Sequence, residues 1–168
     1  TKAPGLSQLH KQSVPFVLAY NQHPKYHCVG VDGHSQVASV VAPLCALGHR
    51  KIAMVSGQLS ASDRARQRYQ GYFSGMQSAN LQPLALIEVD FIASDMLALA
   101  TLLKQSAAKR PTALICSNDL LAFRSLRTAT QCGLSVPESL SVVGFDGIKI
   151  GQELSPMLTT VIQPNHDI

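Results

Sequence analysis

Tryptophan is absent from these 168 residues, aromatic side chains make up only 5% and charged ones only 14%. So few aromatics leave no stacking platform for single-stranded nucleic acid. The net charge of +4 is mild and its basic residues are dispersed, so no nucleic-acid-binding face is expected within this chain. Cysteine occurs four times, as Cys28, Cys45, Cys116 and Cys132, but never in a CxxC or CxxH spacing. Reduced, mostly buried thiols follow, which favours the cytoplasm and speaks against a zinc site or other metal centre. No apolar run reaches the roughly 18 residues of a membrane-spanning helix, and no signal peptide opens the chain. GxGxxG, the Walker phosphate loop, GxSxG and HExxH are all missing. An enzyme would therefore lack a visible nucleophile, base or metal cluster, and no cofactor is expected. The six histidines, His10, His23, His27, His34, His49 and His166, form no chelating spacing. His49, after Gly48, reads as part of a helix end.

What is present is apolar: 46% of the residues are hydrophobic, enough for a real core. The length suits one domain, or one large lobe with a remnant of another. Polar residues Thr1 to Ser13 read as a helix tail or a loop. Val14–Ala19 and Cys28–Val31 are strand-like, with a loop and no helix between them. Ser35–Leu47 has helical spacing, with Val37, Val40, Val41, Leu44 and Leu47 on one face and Pro43 as an awkward interior residue.

From Lys51 a pattern recurs. Strands are expected at Lys51–Ser56, Leu84–Val89, Thr112–Cys116 and Leu140–Phe145, with a shorter one at Leu158–Ile162. Helices are expected from a cap at Asp63 to Ala79, from a cap at Ser94 to Ala108, and over Asp119–Cys132. Strand starts about thirty residues apart are the period of a βαβ unit. Their apolar runs are near-continuous, as in strands buried on both faces. The expected fold is therefore α/β: a Rossmann-like open parallel sheet with helices on both faces.

Ligands of such sheets bind outside the carboxyl ends of the strands. Asp146 falls there, after LSVVGF, either to accept hydrogen bonds from a polar ligand or to cap the following turn. Asn118 and Asp119 follow TALICS, and the pair divides naturally into one ligand contact, Asn118, and one helix cap, Asp119. Arg68 lies in the helix after KIAMVS. Phe91 follows LALIEV, to stack on a ligand ring or to cover the sheet. Arg68, Phe91, Asn118 and Asp146 converge on one sheet edge.

Five segments carry a family resemblance in order: GHRKIAMVSG at 48–57, RYQG at 68–71, RPTALICSNDLLA at 110–122, GLSVPESLSVVGFDG at 133–147 and LSPMLTTVIQP at 154–164. They resemble the effector-binding part of the lactose/galactose-repressor family of bacterial transcription regulators, a fold shared with periplasmic sugar-binding proteins. The resemblance implies two Rossmann-like subdomains closing on a small, sugar-like effector, homodimerisation, and operator DNA binding through a helix-turn-helix headpiece absent from this chain. It makes residues 1–32 a remnant of the N-terminal subdomain and 33–168 the C-terminal subdomain, with 158–164 as the crossover strand. It places Arg68, Asn118, Asp146 and Phe91 on effector-binding positions, with Tyr20 on the opposite wall, where an Asp or Asn is common. Leu120, Phe123, Ile148, Ile150 and Leu154 fall on the dimer surface it implies. The alternatives are a solute-binding receptor of a sugar transport system and an α/β enzyme.

Overall fold

The computed structural model describes residues 4–21, 23–90 and 96–164. Two compact units result, Thr1–Val31 with Pro164–Ile168, and Asp32–Gln163. The first holds helix α1 (Pro4–Lys11) and strands β1 (Leu18–Ala19) and β2 (Cys28–Val29), which pair in parallel. Both strands are shorter than their apolar runs, and Val14 and Val17 are exposed. Around Tyr26 the rings of His10, Phe16 and His23 gather with centroids 5.7, 5.0 and 4.4 Å away.

The second unit carries a five-stranded, wholly parallel sheet. Its strands are β3 (Ile52–Gly57), β4 (Ile87–Val89), β5 (Ala113–Cys116), β6 (Ser141–Asp146) and β7 (Thr159–Ile162), in the order β4-β3-β5-β6-β7. The helices are α2 (Gly33–Ala46), α3 (Asp63–Ser78), α4 (Leu97–Leu103) and α5 (Asp119–Gln131), with a short 3-10 turn at Lys149–Glu153. Alternation sorts the strand side chains onto two faces. Ala53, Val55, Leu114, Cys116 and Val142 pack with Leu99 and Leu103 of α4 and Leu121, Ala122 and Ala129 of α5. Ile52, Met54, Ile115 and Phe145 are buried on the other face, the side of α2 and α3, which bury Val37, Val41, Leu44, Tyr72 and Met76. The Tyr72 hydroxyl donates to the Ile52 carbonyl at 2.9 Å and accepts from Leu84 N–H at 3.0 Å. Burial pushes this phenol up to about 12.

Local chemistry sets the helix ends. Asp32 caps α2 and Ser62 caps α3, each side chain accepting from a backbone N–H three residues on. The expected cap Asp63 is instead the first residue of α3. Gly48, Asn80 and Gly133 sit at φ 93°, 54° and 74° just past α2, α3 and α5. The backbone N–H groups of Gly48 and His49 donate to Cys45 and Leu44 carbonyls at 3.0 Å, closing α2 in a Schellman motif. Pro43 lies on the exposed side of α2, as does Ser39, whose carbonyl loses its helical donor there. Leu47, expected on the buried face, is the C-cap and 75% exposed. Helix α4 stops at Leu103 rather than Ala108, and the Lys51 ammonium takes up the Ala107 and Ala108 carbonyls at 2.9 and 2.8 Å.

A candidate effector pocket at the strand ends

The strand order reverses between β3 and β5: the chain runs outward from β3 to β4, then crosses back to β5. Open α/β sheets bind ligands at such a switch point, because diverging crossovers leave a crevice there. A cavity of about 400 Å³ lies at this place, lined by Gly57, Gln58, Ser62, Arg64, Arg68, Ser117, Asn118 and Asp146 among others. Gly57 ends β3, Ser117 and Asn118 follow β5, and Asp146 ends β6. The floor near Gln58 is held from both sides. Leu59 N–H donates to Glu88 Oε1 at 2.7 Å, and its carbonyl accepts from Arg66 Nη1 at 2.5 Å.

Arg68 is the centre of the pocket. Only 8% exposed, it lies with its Cζ 3.8 Å from the Phe145 ring centroid, donates through Nη1 to the Ser117 carbonyl, and stands 3.6 Å from Asp146 Oδ1. Its Nε has no partner among the described residues. A Cβ at position 33 would lie 3.2 Å from Arg68 Cγ, so glycine at the start of α2 makes room for the side chain. Burial pulls the guanidinium below its ordinary range, opposed by the charge of Asp146. Burial likewise pushes the Asp146 carboxyl above its own range, opposed by Arg68. Each charge thus offsets part of the burial penalty of the other.

Asp146 adopts φ 131°, a backbone conformation costly for any residue but glycine, and such strain clusters at ligand sites. Its Oδ1 accepts from Gln163 Nε2 at 2.6 Å, so the carboxylate is aimed by a residue just past β7. Gln163 lies within the LTTVIQP segment and carries no expected role there; the rule that singled out Asn118, a polar residue at a strand's carboxyl end, would have found it.

Asn118 and Asp119 depart from their expected division of duties. Asn118 is the N-cap of α5, its Oδ1 accepting from Leu121 N–H at 2.8 Å, while the residue still lines the cavity. Asp119 caps nothing. It is fully buried and accepts from Thr160 Oγ1 at 2.5 Å and Ile148 N–H at 2.8 Å. Those partners lie 41 and 29 residues away, beyond any local pattern. Phe91, and Ser94 as a helix cap, lie outside the described residues. Tyr20 belongs to the first unit, where it sits at φ 62° and its N–H donates to the Val29 carbonyl at 2.8 Å. The structure thus brings together Arg68, Asn118 and Asp146. Among the described residues no cluster of His, Cys, Asp or Glu has the makings of a metal site, and no helix is long and apolar enough to cross a membrane.

Comparison with known proteins agrees with this architecture. A family model described as a periplasmic binding protein-like domain matches residues 41–168. The chain is 37% identical over 124 residues to the ribose operon repressor of Haemophilus influenzae, covering 72% of this chain and 36% of that protein. It is 33% identical over 168 residues to the HTH-type transcriptional repressor PurR of Aliivibrio salmonicida, covering 97% of this chain and 50% of that one. Half or less of each relative's length is therefore spanned. Among solved structures, a regulatory protein of the LacI family from Chloroflexus aggregans superimposes with a TM-score of 0.90 at 30% identity, covering 99% of this chain and 60% of its own. A dimeric Lac repressor with a C-terminal deletion gives 0.81 at 28% identity, covering 96% of this chain and 59% of its own. The chain belongs to the periplasmic-binding-protein-like domain family, in the form that serves LacI-type transcriptional repressors as their effector-binding domain.

Proposed function

We propose that this chain senses a small polar metabolite, sugar-like in its hydroxyl groups, for a cytoplasmic repressor. Arg68, Asn118 and Asp146 would hold the ligand, and Phe91 and Tyr20 would add aromatic contacts. The observation that carries this reading is the buried Arg68 beside a half-buried Asp146, the two opening onto the cavity at the switch point of the sheet. Asp146 accepts from ligand hydroxyls, Arg68 and the Asn118 amide donate to them, and neither an acid–base relay nor a nucleophile is needed. The same reading makes residues 1–32 part of a partner subdomain and has the chain work as a homodimer, with operator DNA held by a headpiece outside these residues. Ligand binding then shifts an equilibrium between two states of the regulator, by as much as its affinities for them differ.

Calorimetry on the chain and two conservative variants tests the site, with D-ribose and sucrose as the first probes. Arg68→Lys and Asp146→Asn should each weaken binding about tenfold or more, since each loses a charged hydrogen bond to the ligand. Unchanged affinity in both variants would remove these residues from the site.

A further inference from the structure

We propose that Asp119 is the positioning residue of this pocket: its carboxylate braces the turn that carries Asp146 and the edge strand that supplies Gln163. The inference rests on reading Asp146 as a ligand contact. An aspartate in the first turn of a helix ordinarily faces water and the helix N-terminus. Asp119 does neither. Its side chain crosses β6 at Gly144, where a Cβ would lie 2.2 Å from Oδ1, so only glycine in this buried strand leaves the passage open. On the far side the two oxygens divide their work. Oδ2 accepts from Ile148 N–H, two residues after Asp146, and Oδ1 accepts from Thr160 Oγ1 in β7.

Thr160 pairs in register with Gly144, and Ile162 with Asp146, so fixing Thr160 fixes the rung opposite Asp146. Gln163 follows directly and donates to Asp146 Oδ1. Both the turn of Asp146 and the side chain that aims it therefore hang from one carboxylate. A buried charge is tolerated only when satisfied in this way, and its removal loosens what it held. The brace also starts α5, so it ties the pocket to the helix whose outer side carries the exposed Leu120.

Nuclear magnetic resonance on the whole chain tests this with three variants. Asp119→Asn cannot accept at both oxygens, and amide exchange at Ile148 should quicken about tenfold or more, while Met54 and Leu114 stay protected. Thr160→Val removes one hydroxyl and no charge. It should shift the Arg68 guanidinium resonance and the Gln163 side-chain amide, the signatures of the aimed Asp146. Gly144→Ala should reproduce both effects by pushing the carboxylate aside. If Asp119→Asn does not fold, Thr160→Val still decides: an unmoved Arg68 resonance overturns the proposal. So does an Asp119→Asn variant whose Ile148 exchange is unchanged. If these shifts appear while Asp146→Asn leaves sugar affinity unchanged, Asp146 is refuted as a ligand contact and the brace stands.

Discussion

Gly71 and Gly75 decide how closely α3 lies on α2. A Cβ at Gly71 would sit 2.2 Å from the His34 carbonyl oxygen, and one at Gly75 would sit 2.7 Å from a Val41 methyl and 2.8 Å from the Ala38 carbonyl. Backbone cannot yield as a side-chain tip can, so Gly71→Ala must push the helices apart. Overpacking of this kind costs about 1–3 kcal/mol, and a backbone obstacle places this substitution near the upper end. Urea denaturation should show a loss of about 3 kcal/mol; a loss of only a few tenths would mean the helices are not in the packing described. His49 offers a second test at this scale. Its Nδ1 and Nε2 lie 2.9 and 3.0 Å from the hydroxyls of Thr112 and Ser141, joining the starts of β5 and β6. Burial lowers its pKa from the ordinary 6.5. The unfolded chain then binds the proton more readily, so the stability this group contributes is present above pH 6.5 and lost as the pH falls below it. Wild-type melting should drop further between pH 7.5 and 5.5, roughly the range around that value, than melting of His49→Gln. Equal drops would assign the acid sensitivity elsewhere.

Among the elements, the outer side of α5 and the segment after Gly147 stand apart. Leu120, Ile148, Ile150, Leu154 and Met157 are exposed. A groove of about 570 Å³ runs beside them, lined by Phe123, Leu126, Leu134, Val136, Ile150 and Leu154. Contiguous apolar surface of this kind marks an interface more often than a solvated face, and a second copy of the chain is the occupant our reading gives it. Light scattering should find a dimer in wild type and a monomer in Ile150→Lys, which places a cation in the groove. A wild-type chain that stays monomeric at high concentration contradicts that assignment. The elements were also where the sequence spoke most plainly. Continuous apolar runs such as KIAMVS and TALICS can be satisfied only by burial on both faces, and β3 and β5 lie within a residue of where those runs place them. Strand β4 is shorter than its apolar run, and Leu84 N–H at the start of that run donates to the Tyr72 hydroxyl. The run before Ala19 misled for a different reason: apolar composition is no guarantee of pairing, and only two of its residues have a strand partner.

For the molecule as a whole, the site was legible as a place before it was legible as a set of residues. Strand order puts the pocket at the carboxyl ends of β3, β5 and β6, and that much follows from the βαβ period and the polar residues that end each apolar run. Asp119's role and the Ser117 carbonyl were not legible, because they depend on partners brought near only by the closed sheet. Asn118 was found for its position, while its cap bond to Leu121 shows that one side chain can serve helix and pocket together. In our reading a small polar effector binds between Arg68, Asn118 and Asp146. Titrating D-ribose and then sucrose into the isotopically labelled chain, and following its amide resonances, tests it most directly. The shifts caused by whichever sugar binds should concentrate at Gly57–Gln58, Ser62–Arg68, Ser117–Asn118 and Asp146–Gly147. Shifts that instead gather along the groove beside α5, with these positions unmoved, would contradict it.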